Sequence, residues 1–255
     1  MSHRGHAPRD ARSQADRYVG DDALVTVIPS RPGDGALTVD VWVRRVVDVP
    51  DGRELLDDHE RAALNRIVRP QSARGYAAAH ALARRAVAQV VGSSAAQVRF
   101  DRTCDGCGEQ HGRPTLPDYR TLHVSLSHTE VLVAVAMTTS LPVGVDVESA
   151  DATAFDGFPQ VALHPDERDE AEGCAAARSQ RRALTWVRKE AALKALGTGL
   201  RREPADLLTP PSGIPVDLLG DGRWVTLQDV PLPWDDAAAA VALAGQSGDL
   251  VVRVR

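Results

Sequence analysis

Lysine is almost missing from this chain. Of 30 basic residues only two are lysine, Lys189 and Lys194, and all the others are arginine. Lysine is a compact charge on a flexible stem, suited to a phosphate or a proton transfer, and arginine does not replace it there. Two lysines kept so close together in an arginine-using chain point to a chemical role, for Lys194 above all. Cysteine is scarce too: three residues without an apolar leader give no disulfide framework and suit a reducing cytoplasm. No apolar run approaches the ~20 residues of a membrane span. The net charge of −5 and pI near 5.9 exclude a general nucleic-acid binder. The glycine loop G-x-x-x-x-G-K is absent, which excludes an ordinary P-loop nucleotide enzyme. Residues 1–20 are polar with no apolar core, so they are expected to form a disordered tail rather than a secretory signal.

The remaining residues are enough for one large domain or two of ordinary size, with 43% apolar residues to fill a core. Alternation over Leu37 to Val43 predicts a strand, and helical patterns follow at about 54–67 and 73–91. Short or apolar strands are expected at 98–100, 122–129, 131–137 and 143–148. Gly112-Arg113-Pro114 is read as opening a turn. Charged helical sequence at 164–178 leads into a long helix. Beyond it, turns at Pro204, Pro210, Pro211 and Pro215 precede strands at about 223–229, 238–244 and 249–254. Each half therefore holds strands and a long alanine-rich helix. The expected class is α+β, with two similar subdomains at 21–140 and 141–255, each a small sheet packed with a long helix, and a site at their interface.

The chain is organised around Trp186 to Leu200. Strong helix formers run without interruption to Gly197, and Gly197 and Gly199 supply the stop. Trp186, Glu190 and Lys194 are spaced i, i+4, i+8 and share one stripe. By itself that stripe could be a surface ion pair beside a core anchor. Asp146 and Glu148, two apart on a valine-rich strand, point from one face, which suits either a solvated edge or a divalent cation between them. Ser125-Leu126-Ser127-His128 ends another strand in hydroxyls and an imidazole. Cys104 and Cys107 have metal-ligand spacing and His111 offers a third ligand. A second C-x-x-C is missing, so the segment is either a zinc site completed by Asp101 or His123, or a reduced loop.

Asp146, Glu148 and Glu190 are three oxygen donors, a set suited to Mg²⁺, which keeps waters and leans on substrate phosphates. Cations at Lys194, Arg113 and Arg84, with Ser127 and His128, would suit those phosphates. An acidic trio with a cationic rim is the equipment of phosphoryl transfer.

At this point the sequence resembles the Sfp-type 4′-phosphopantetheinyl transferases. Three blocks carry the likeness in order: Gly112-Arg113-Pro114 with Ser125 to Thr129, then Val143-Gly144-Val145-Asp146-Val147-Glu148, then Trp186-x-x-Lys189-Glu190-Ala191-x-x-Lys194 running to Leu200. The resemblance implies transfer of the phosphopantetheine arm of coenzyme A to a serine of an apo carrier protein, with release of 3′,5′-ADP, by a cytoplasmic monomer. It implies that Asp146, Glu148 and Glu190 hold Mg²⁺ or Mn²⁺, that Glu190 acts as general base, and that Lys194 contacts the pyrophosphate. Ser127, His128, Arg113, Pro114 and Arg84 would contact coenzyme A. The chain departs from the pattern at Ser125, where many members have asparagine, at Arg113, commonly lysine, and at His80, commonly arginine. A catalytically silent binder of coenzyme A or carrier protein, and a zinc-organised interaction protein, are the competing readings. Arg181, Arg182, Arg188, Lys189, Arg201 and Arg202 form a basic run that is either a solvated face or a docking surface for an acidic carrier.

Overall fold

The computed structural model describes residues 36–168, 174–209, 212–245 and 250–255. The expected tail at 1–20, the turn at Pro210 and Pro211 and part of the charged segment at 164–178 lie outside them. In chain order the elements are β1 (Leu37–Arg45), α1 (Asp58–Arg66), α2 (Pro70–Val91), β2 (Asp101–Thr103), β3 (Gln110–Thr115), β4 (His123–His128), β5 (Leu132–Thr138) and β6 (Val143–Ser149). They continue with α3 (Phe158–Ala162), α4 (Ala175–Leu196), β7 (Val216–Asp217), β8 (Trp224–Asp229), β9 (Ala237–Ala244) and β10 (Leu250–Val254).

Three boundaries differ from the sequence reading, each for a local reason. The helix expected at 54–67 begins at Asp58, because Asp57 caps it: Glu60 N–H donates to Asp57 Oδ1 at 2.8 Å and Asp57 N–H to Glu60 Oε2 at 3.0 Å. The strand expected at 98–100 starts at Asp101, while Val98 is spent as a buried core residue. Gly112-Arg113-Pro114 is not a turn but the middle of β3, which pairs antiparallel with β2. Proline is tolerated there because the ribbon has only two strands and carries a register shift.

Two four-stranded sheets dominate. The first has the order β10-β1-β5-β4, with β1 parallel to β10 and antiparallel to β5; the second, β6-β9-β8-β7, is antiparallel throughout. Period-two alternation decides which residues meet. Val39, Val41, Leu132, Ala134, Val143, Val145, Val147, Val241 and Leu243 face inward and form one core between the sheets. The opposite face of β5 packs with α2, through Val135 and Met137 against Ala83 and Val87. The opposite face of β9, Ala238, Ala240 and Ala242, packs with α4. The order of layers is helix, sheet, sheet, helix: a mixed α+β architecture. Although β10 follows the second sheet in sequence, it closes the edge of the first, and Arg253 and Arg255 anchor it on Asp40 at 3.0 and 2.8 Å.

Candidate active site between the two sheets

The valines of β6 point into the core, so Gly144, Asp146 and Glu148 point the other way, under α4. Gly144 makes that cover possible. A Cβ built there would stand 2.0 Å from the Ala191 carbonyl oxygen and 2.5 Å from the Ala195 nitrogen, so only glycine admits the helix at this distance. The strand–helix contact sets Lys194 beside Asp146: Nζ donates to Asp146 Oδ1 at 2.7 Å and to the Val145 carbonyl at 3.1 Å. α4 ends one turn later. Gly197 takes a φ of +69°, and Thr198 N–H returns to the Leu193 carbonyl at 3.1 Å.

The edge strands β4 and β6 meet across the two sheets through serine side chains. Val145 N–H donates to Ser125 Oγ at 3.0 Å, and Ser127 Oγ donates to Asp146 Oδ1 at 2.6 Å. Ser125 thus does positional work that the sequence alone did not disclose. The interior glycine of β6 was the available signal for Gly144, since glycine within a strand marks close backbone approach.

The electrostatics are unbalanced. Asp146 is 6% exposed and already accepts from Lys194 and Ser127. Glu148 Oε1 turns back to accept from Ser149 N–H at 2.8 Å. Burial first, then the nearby Asp146 charge, push the Glu148 and Glu190 carboxyl groups above their ordinary range. Glu190 Oε1 is buried and has no hydrogen-bond donor, an arrangement that costs free energy unless something fills it. Three carboxylates against one ammonium, all oxygen donors, and an oxygen without a partner fit a hard divalent cation. The oxygens of Asp146, Glu148 and Glu190 do not all approach within 4.8 Å of one another. A closed three-carboxylate ring is therefore not preformed.

His128 ends β4 beside Tyr76, ring centroids 5.8 Å apart. Burial, then the charges of His80 and Lys194, push its pKa down to about 4, so its imidazole is neutral at pH 7. Arg113 reaches α4, its Nη1 donating to the Ala195 carbonyl at 3.2 Å. Arg113, Pro114, Leu116, His123 and Val143 line a cavity of about 370 Å³ at the start of β6. A second, apolar cleft of about 500 Å³ opens beside Glu148, walled by Phe155, Phe158 and Trp186. Trp186, the first residue of the predicted stripe, is therefore both core anchor and cleft wall.

Two residues singled out from the sequence do other work. Arg84 is 2% exposed and turned into a cluster on α1 and α2. It donates to Glu60 at 3.0 Å and to Asp57 at 3.2 Å, and Glu60 also meets His80 at 2.8 Å and Arg102 at 2.6 Å. Burial opposes a charge on Glu60, but His80, Arg84 and Arg102 outweigh it and hold the carboxylate ionised. Arg84 is thus turned to two carboxylates and does not line the cavity that holds Arg113. Lys189 is fully buried; Nζ donates to the Ala162 and Pro204 carbonyls, each at 2.9 Å, and pairs with Glu167. Arg188 is held bidentate by Asp229 at 2.7 and 2.6 Å. The basic run therefore does not present all its charges on one open face.

A family model described as the 4′-phosphopantetheinyl transferase superfamily matches residues 142–241, the stretch from the start of β6 into β9. The chain is 28% identical over 232 residues to the 4′-phosphopantetheinyl transferase HetI of Nostoc sp. (strain PCC 7120), covering 86% of this chain and 94% of that one. The motif that puts Asp146 under Lys194 lies inside the matched stretch, and both likenesses support a transferase similar to the 4′-phosphopantetheinyl transferase superfamily.

Proposed function

We propose that the protein transfers the 4′-phosphopantetheine arm of coenzyme A to a serine of apo acyl or peptidyl carrier proteins, as a monomer in the cytoplasm. The serine oxygen attacks the phosphorus that carries the pantetheine arm. The pyrophosphate P–O bond breaks, 3′,5′-ADP leaves, and the serine proton passes to a base. The observation that carries the reading is the buried, donorless Oε1 of Glu190, one helix turn from the Lys194–Asp146 pair.

Asp146, Glu148 and Glu190 would hold Mg²⁺ or Mn²⁺, which supplies charge neutralisation on the pyrophosphate oxygens. Glu190 sits on the helix side, and its raised pKa suits a group that takes the serine proton, directly or through water. Lys194 neutralises Asp146 and stands ready for charge developing on the leaving phosphate. Neutral His128 supplies a hydrogen bond to a phosphate oxygen, and the Ser127 hydroxyl, which donates to Asp146, orients that carboxylate. Arg113 and Pro114 form the wall against which the nucleotide end would lie.

The experiment is to mix the protein with coenzyme A, Mg²⁺ and a panel of apo-carrier domains and record intact masses. A carrier that gains one phosphopantetheine on its serine is the expected result. Coenzyme A binding without modification of any carrier would overturn the reading in favour of a silent binder.

A further inference from the structure

The β2–β3 ribbon is the only two-stranded sheet among the described residues, and a two-stranded ribbon is marginal in water by itself. At its tip the chain gathers Cys104, Cys107 and His111. Their ligating atoms all lie within 4.8 Å of one another, and Cys107 Sγ is 3.0 Å from His111 Nε2. The loop is wound to present the sulfurs. Cys104 N–H donates to the Glu109 carbonyl and Gly108 N–H to the Cys104 carbonyl, both at 2.8 Å, and Gly108 takes a φ of +76°. His111 reaches the pair because Gly112 lets β3 press against β2: a Cβ there would stand 2.7 Å from the Thr103 carbonyl oxygen.

We propose that Cys104, Cys107 and His111 bind one Zn²⁺ per chain, with the fourth tetrahedral position filled by solvent. Two thiolates and an imidazole are a soft donor set that selects zinc over the hard cations suited to the carboxylates under α4. Neither Asp101 nor His123 completes the set: Asp101 Oδ1 is occupied by Thr103 N–H and Oγ1, and His123 lies on β4. The zinc would staple the tip of the ribbon whose other end carries Arg113 and Pro114 into the cavity. Metal binding and ordering of the ribbon are then one equilibrium.

The full chain, expressed with zinc supplementation and purified without chelator, should carry one zinc per chain by elemental analysis. Replacement by Co²⁺ should give thiolate-to-cobalt charge-transfer bands and the strong visible bands of a tetrahedral ion. Cys104→Ser, Cys107→Ser and His111→Ala should lose zinc while keeping the far-ultraviolet circular dichroism of the parent. Cys174→Ser, at an exposed cysteine outside the cluster, should keep it. Wild-type protein that stays free of zinc, or a cobalt spectrum that survives Cys107→Ser, would overturn the proposal. The readout is spectroscopic, so it stands or falls apart from transferase activity.

Discussion

Lys194 Nζ lies 2.7 Å from Asp146 Oδ1, a contact between a helix and a strand separated by 48 residues of chain. The ammonium neutralises one of three neighbouring carboxylates and leaves the other two with raised pKa values. The consequences can be measured residue by residue.

Glu190→Gln should lower transfer by at least ~100-fold, the usual loss for a general base. It should also raise the melting temperature at pH 7 without added metal. The sign follows from linkage: a carboxyl whose folded pKa is raised costs stability above its unfolded pKa, and that cost grows as pH rises through the folded value. Added Mg²⁺ should stabilise the wild type more than the variant. Thermal melts with and without Mg²⁺ check both parts, and an unchanged transfer rate would remove Glu190 from the role.

The two lysines should separate cleanly. Lys189→Met takes the cation from Glu167 and the donor from two buried carbonyls, and should cost about 3–5 kcal/mol in denaturant unfolding. Lys194→Met should shift the unfolding curve less, yet lower kcat/KM by about 100-fold or more. Equal effects on stability and activity in both variants would contradict the division of roles.

Gly144→Ala should destabilise by about 3 kcal/mol or more, since the new methyl meets backbone atoms of α4 that cannot yield cheaply. Because the displaced helix carries Glu190 and Lys194, stabilisation by Mg²⁺ should fall in parallel. Chemical denaturation with and without the ion would show it; a neutral substitution would mean that α4 does not rest on β6 as described.

His128 should titrate near pH 4 by imidazole NMR, well below an ordinary histidine. A depressed histidine pKa means the folded chain binds fewer protons than the unfolded one. This contribution therefore weakens stability as pH falls from about 6.5 towards 4. Coenzyme A should raise the value, because a phosphate beside the ring favours the imidazolium. A value that coenzyme A leaves unmoved would separate His128 from the phosphates.

Local rules carried far into this structure. Helix formers and the Gly197 stop gave α4 its end, and period-two alternation placed Asp146 and Glu148 on one face. What failed was partner assignment. Arg84 looks like a phosphate ligand from its helix, and Lys189 looks as available as Lys194. Their fates were settled by Glu60 and Glu167, acids on other elements that only packing brings near. Pro114 misled because a proline reads as a turn unless the two-stranded ribbon around it is known.

The sequence by itself determined the kind of chemistry: spacing along one strand and one helix fixes which side chains share a face, and those rules act over a few residues. Only the tertiary structure decided which charges are spent and which remain open. A buried charge must be answered by whatever group the fold sets beside it, and that group can stand anywhere in the chain.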